Sequence, residues 1–157
     1  MGELIKKIET YNIINYLLPG IIFAIIFKAL TEIDISNVNA GIAIVEYYFI
    51  GLVLSRIGSI IINPILKKCK IIYEEKYEDF IDNESKDEKI AILVREGNQY
   101  RTFIATFAVL ALIEMNNIMH KNYDKWMTVI AFIALMILFI LSYRKQLIFI
   151  TKRIKNQ

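Results

Sequence analysis

The chain has 157 residues, 56% of them hydrophobic, with a formal net charge of +3 and a mean hydropathy of +0.45. A soluble domain of this size holds about 45–50% apolar residues, so the composition excludes a water-soluble globular fold and implies a single membrane domain over residues 1–157. One cysteine, Cys69, excludes an intrachain disulfide.

Residues 1–15 place Leu4, Ile5, Ile8 and Tyr11 near one helical face, with Lys6, Lys7 and Glu9 elsewhere. This is an amphipathic start, lying either at the membrane interface or against neighbouring protein. The first span is read at 13–30 and retained, since no small-residue cleavage site follows it. Pro19-Gly20 either kinks this helix or marks its first turn, and Lys28 near its far end can snorkel outward. Residues 31–40 form a short external loop free of lysine and arginine.

The chain is organised around the stretch Ile44 to Leu66, which contains the second span at 44–62. Nineteen residues rise about 28 Å, close to the hydrocarbon thickness of a bilayer. Arg56 lies inside it, where an ionisable group costs about 2.5–3.5 kcal/mol; it either faces protein or water, or snorkels to the cytoplasmic side. Gly51, Ser55 and Ser59, with Gly58 beside them, form a small-residue stripe that admits a close partner helix, within one subunit or between copies. Asn63-Pro64 ends the span as a break or hinge, before Lys67, Lys68 and Lys70.

Residues 65–101 are the one long polar segment, with eight cations against nine acids. Tyr73, Tyr77, Phe80 and Ile81 recur at helical spacing, as do Ile90, Leu93 and Val94, and Ser85 with Glu88 reads as a capping box. The pattern predicts a cytoplasmic hairpin of helices over about 67–82 and 86–97, with Gly97-Asn98 loosening the join to the next span. Tyr73, Tyr77, Lys76, Tyr100 and Arg101 combine aromatic and basic groups that can stack on and neutralise a nucleotide; the same spacing also suits a hairpin seam.

The third span is read at 102–119. Its apolar core ends at Ile113, so Glu114, Asn116 and Asn117 require either a protein-facing continuation, which is favoured, or an end inside the membrane. The fourth, 126–143, carries no charge, and Trp126 and Tyr143 at its ends read as interfacial aromatics. Lys28 can pair with Glu46 or Glu114 at a similar depth; alternatively the two acids form a cation-attracting ring at the external mouth of an assembled pore.

Fifteen lysines and arginines fall in the N-terminus, the 65–101 segment and the tail, against Lys121 and Lys125 in the external loops. The positive-inside rule then places both termini in the cytoplasm of a multi-pass protein. The expected fold is all-α: four membrane helices with the hairpin between the second and third. No cofactor, metal site or catalytic residue is expected. The single histidine, His120, reads as a solvated loop residue, Cys69 as a bystander, and no phosphate loop or nucleophile motif occurs.

The Leu-Leu-Pro-Gly opening of the first span, the second span from Tyr47-Tyr48-Phe49-Ile50-Gly51 to Ser55-Arg56-Ile57-Gly58-Ser59, and the charged segment ending Asn98-Gln99-Tyr100-Arg101 resemble small multi-span membrane effectors of bacterial anti-phage defence. These include the four-span effectors of cyclic-oligonucleotide systems and the channel component of Hailong. The resemblance covers the whole chain as an architecture and carries over no site residues. It implies a homo-oligomeric pore in the bacterial inner membrane, gated by a cytoplasmic nucleotide signal and acting by depolarisation. From the residues themselves two readings follow: an oligomeric channel gated through 65–101, or a non-conducting sensor or scaffold that recruits a cytoplasmic protein partner. A transporter subunit fits less well, as four short spans without an internal repeat make a poor alternating-access machine.

Overall fold

In hydrocarbon a backbone must satisfy its own hydrogen bonds, and this isoleucine-rich chain does so with helices. The computed structural model describes residues 2–35, 39–73, 88–121 and 125–155, and every regular element among them is helical. In chain order these are α1 (Gly2–Thr31), α2 (Ala40–Ile57), a π turn, π1 (Gly58–Ile62), α3 (Asn63–Lys68), α4 (Glu88–Lys121) and α5 (Trp126–Lys155). The helical stretches Ala40–Lys68, Lys89–His120 and Trp126–Lys155 are long and apolar enough to cross a membrane, whereas the apolar stretch Asn15–Thr31 is shorter. The first span thus rests on the sequence reading.

The helices run alternately up and down. At one end, hereafter the loop end, the Asn117 amide donates to the carbonyl of Leu30 at 3.2 Å. At the other, the basic end, the Tyr143 hydroxyl donates to Asn63 Oδ1 at 3.2 Å and the Gln146 amide donates to Glu96 Oε2 at 2.7 Å.

α1 and α2 touch backbone to backbone. A Cβ added to Gly20 would lie 1.8 Å from the carbonyl oxygen of Tyr47, and one added to Gly51 would lie 1.7 Å from that of Tyr16. With a Cα–Cβ bond of about 1.5 Å, each glycine Cα lies within about 3.3 Å of the facing oxygen, the range of a Cα–H···O contact. The arrangement is reciprocal: Tyr16 and Gly20 face Tyr47 and Gly51, both pairs four residues apart. The rings of Tyr16 and Tyr48 meet edge to face at 5.5 Å beside it. α1 passes unbroken through Pro19, which therefore does not mark its start.

α4 is the central helix. Half of its most apolar window (50%) is buried, against 22% for the stretch containing α2 and 17% for α5. Six successive residues, Thr102 to Phe107, are all buried, which requires neighbours on every side. Stacked rings join it to α5: Phe103 lies 4.8 Å from Phe139 and Phe107 lies 5.7 Å from the same ring. The hydroxyls of Thr102 and Thr106 bond the carbonyls one turn back, at 2.9 Å each, and so need no partner elsewhere.

Several expectations are corrected here. The helix that follows the second span does not run over 67–82. It ends at Lys68 in a Schellman motif: Lys70 takes φ 57°, its N–H reaches the carbonyl of Lys67, and that of Ile71 reaches Leu66. Residues 74–87, with Lys76, Tyr77, Phe80 and Ser85, lie outside the described residues. The second predicted helix, 86–97, is not separate. α4 is continuous through Gly97-Asn98, and its 34 residues rise about 51 Å, well beyond a hydrocarbon core of about 30 Å. α5 likewise continues twelve residues past Tyr143. Asn63-Pro64 does not break the chain. In an α-helix the Pro64 ring would clash with the carbonyl of Ile60; π1 contains Ile60 and widens the turn there, with Asn63 N–H bonded to Gly58 O. Tyr143 is not an interfacial aromatic but is 3% exposed, packed with Leu66, Ile72 and Ile104. The favoured continuation of the third span holds: α4 runs to Lys121 with Glu114 turned inward.

The close crossing predicts that Gly20→Ala and Gly51→Ala each lower stability by about 1–3 kcal/mol through overpacking. Gly97→Ala, whose new methyl would meet the Tyr143 ring at 3.4 Å and Gln146 Cγ at 3.7 Å, should be neutral or gain up to about 1 kcal/mol from helix propensity. Thermal unfolding in detergent micelles checks the ordering.

Candidate anion-binding site

Toward the basic end from the glycine crossing, the three helices part around a polar cavity of about 190 Å³. α1 supplies Asn15 and Tyr16, α2 supplies Ser55 and Arg56, π1 supplies Ser59, and α4 supplies Arg95, Asn98, Gln99, Arg101 and Thr102. The α4 set follows from helix periodicity: 95, 98, 99 and 102 form one face at spacings of three and four. Ser55 and Ser59, one turn apart on the same strip as Gly51, leave room where larger side chains would fill the gap.

Two backbone features surround the cavity. Pro19 brings no N–H to the carbonyl of Asn15, so that turn of α1 carries a backbone acceptor with no i+4 donor. Gly58, the first residue of π1, packs against α4: a Cβ there would lie 3.0 Å from the carbonyl oxygen of Arg101 and 3.3 Å from its Cγ. π turns inside α-helices are frequent at functional sites, and this one borders the cavity through Ser59.

The electrostatics are one-sided. Three guanidinium groups line the cavity, and none of its described lining residues is acidic. Arg101 Nε is buried and has no hydrogen-bond partner among the described residues. Leaving such a donor unsatisfied costs about 1–3 kcal/mol, more for a charged group. A guanidinium presents a planar fork of donors that matches a phosphate or carboxylate oxygen pair, while the serine hydroxyls and the Asn and Gln amides add neutral donors. These donors, gathered at one cavity, suit the binding of an anion.

The other sequence candidates scatter. Arg56 sits in the last turn of α2 as an exposed residue at the edge of the cavity, not a buried one. The small residues of α2 are used within the chain: Gly51 against α1, Gly58 against α4, Ser55 and Ser59 at the cavity. Lys28 pairs with Asp34 across the turn after α1, at 2.6 Å, and not with Glu46 or Glu114. Glu114 is 1% exposed on α4; its Oε2 accepts from the Asn117 amide at 3.2 Å and its Oε1 has no partner among the described residues. Glu46 is half-buried on α2.

The aromatic–basic set is also divided. Tyr100 packs towards Phe139, with ring centroids 6.2 Å apart, and Arg101 faces the cavity. Tyr73 stands 71% exposed in a different groove. Asn63 is bonded to Tyr143, and Pro64 is exposed. Sequence reasoning overlooks Asn15, Arg95, Asn98 and Gln99, although the α4 face was visible as polar residues at helical spacing in an otherwise apolar helix. The chain matches no protein-family model, no curated protein and no solved structure.

The Tyr143–Asn63 bond ties α3 to α5 beside π1. Tyr143→Phe should cost about 0.5–1.5 kcal/mol with helix content unchanged. Chemical unfolding followed by far-ultraviolet circular dichroism measures both.

Proposed function

We propose that this protein is a multi-pass effector of a bacterial inner membrane that senses a phosphate-bearing nucleotide or oligonucleotide on its cytoplasmic side. The observation that carries this reading is the arginine-lined cavity beside π1, with no acid among its described lining residues and the buried Arg101 Nε without a partner among the described residues. Drug-sized ligands fill about 300–1,000 Å³; a cavity of about 190 Å³ takes a phosphoryl group and leaves the remainder of a nucleotide outside, near exposed Arg56. The excess of cations at this end supports its assignment to the cytoplasm. A ligand shifts an equilibrium only by its differential affinity for two states; here the two states are packings of α2 that differ at π1, with Asn63 and Pro64 as the adjoining hinge.

The output we assign is a pore built from several copies of the chain, as the resemblance to anti-phage effectors implies, with all four spans in the bilayer. Val45, Phe49 and Val53 of α2 are exposed. Faces of this kind would hold such a pore shut by dewetting. The same apolarity favours a second reading: without polar residues along these faces, the protein acts as a non-conducting sensor that recruits a cytoplasmic partner.

Binding of nucleotides and short oligonucleotides to the reconstituted protein tests the sensor, and planar-bilayer current tests the output. Arg101→Gln should weaken binding by roughly 10- to 100-fold, the worth of a charge-assisted hydrogen bond of about 1.5–3 kcal/mol, and Arg56→Gln by less, because Arg56 is exposed. Absence of binding to every phosphate-bearing ligand tried would sink the sensor; binding without current selects the second reading.

A further inference from the structure

A second groove lies at the basic end, beside the Schellman turn. It has a volume of about 510 Å³ and shares no residue with the arginine cavity. Its wall on α5 is a single helical stripe, Arg144, Leu147, Ile148, Thr151, Lys152 and Lys155, with spacings of three, one, three, one and three. The opposite wall is Ile71 and Tyr73, brought there because Lys70 turns the chain sharply after α3.

The chemistry of the groove is graded along α5. Leu147, Ile148 and Ile71 make an apolar floor, Arg144, Lys152 and Lys155 make a cationic rim, and Tyr73 and Thr151 add hydroxyls; none of the described lining residues is acidic. Its depth is set by the sequence. Residues 126–143 are uncharged and rise about 27 Å, so Arg144 falls where a membrane-crossing α5 leaves the hydrocarbon. Towards the membrane the same face of α5 continues as Leu141 and Ile137, exposed by 56% and 50%. An apolar track thus leads from the membrane-facing surface into a cation-rimmed pocket at headgroup level.

We propose that this groove binds one anionic phospholipid, with its headgroup phosphate between Arg144 and Lys152 and an acyl chain along Ile148, Leu141 and Ile137. Neither a soluble anion nor an apolar peptide uses both halves: the first ignores the floor, and the second makes no use of Arg144 and Lys152. The lipid joins α5 to the segment after α3.

Native mass spectrometry of the full-length protein, released from micelles doped with phosphatidylglycerol or phosphatidylcholine, tests this. One phosphatidylglycerol per chain should be retained at least tenfold better than phosphatidylcholine. Arg144→Gln combined with Lys152→Gln should abolish the preference, whereas Arg144→Lys combined with Lys152→Arg should keep it. Thr151→Trp, which fills the groove without removing charge, should abolish retention even if the charge variant fails to fold. Glycerol 3-phosphate, which carries the headgroup charge without acyl chains, should not compete. Equal retention of the two lipids, undiminished retention in Thr151→Trp, or displacement by glycerol 3-phosphate overturns the proposal. So does loss of retention in Arg101→Gln, which would place the lipid in the arginine cavity instead.

Discussion

Everything at the basic end depends on the reciprocal contact of Gly20 and Gly51 with the carbonyl oxygens of Tyr47 and Tyr16. Lipid tails are as apolar as leucine, so membrane helices gain little hydrophobic energy from pairing and rely on close packing instead. Two glycines at one crossing give that closeness. They also fix the axes of α1 and α2 at a single level, so that the next turns of α2 diverge from α1 instead of zipping onto it. Ser55 and Ser59 occupy those turns, and the arginine cavity is the space that results.

α4 then decides what fills that space. It must cross the centre of the bundle, and its middle is accordingly apolar apart from threonines that bond their own helix. Its first four turns carry Arg95, Asn98, Gln99 and Arg101. The helix therefore changes from a core element to a polar wall along its own length without any break. Gly58 lets that wall approach α2 closely enough for the Arg101 backbone to touch π1. A positive charge at the buried edge of such a contact is costly unless something answers it, and the described lining residues are neutral groups and further cations. Gln146, buried on α5, holds the outer part of α4 in place through Leu93 and Glu96.

Much of the layout is legible from hydropathy and charge alone: the all-helical fold, the three long apolar helices, and the inward turn of Glu114 all follow from apolar runs and from what a carboxylate cannot face. The extents of the helices are less legible, because helix continuation past the membrane depends on packing of α4 against α5, which hydropathy does not register. Tyr143 shows why: an aromatic at the end of an apolar run looks the same whether it faces headgroups or Asn63, eighty residues away. The separation of Tyr73 from Arg101 has a similar origin, since the turn at Lys70 is made by a lysine in a left-handed conformation that usually belongs to glycine or asparagine. Both glycines of the crossing are plain in the sequence. That each lies four residues after a tyrosine whose carbonyl the other needs becomes visible only once the helices are antiparallel.

A π turn contains one more residue than the α turn it replaces, and that surplus can travel. Were π1 to move one turn along its helix, the residues it passed would each swing by about 100°, one α-helical step, while those beyond kept their places. Ser59 would then leave the arginine cavity and a neighbouring isoleucine would enter it. The helix is in this sense a crankshaft: an axial displacement of one small defect becomes a rotation of the side chains that face the arginines, with no net change in the helix ends that the rest of the bundle grips.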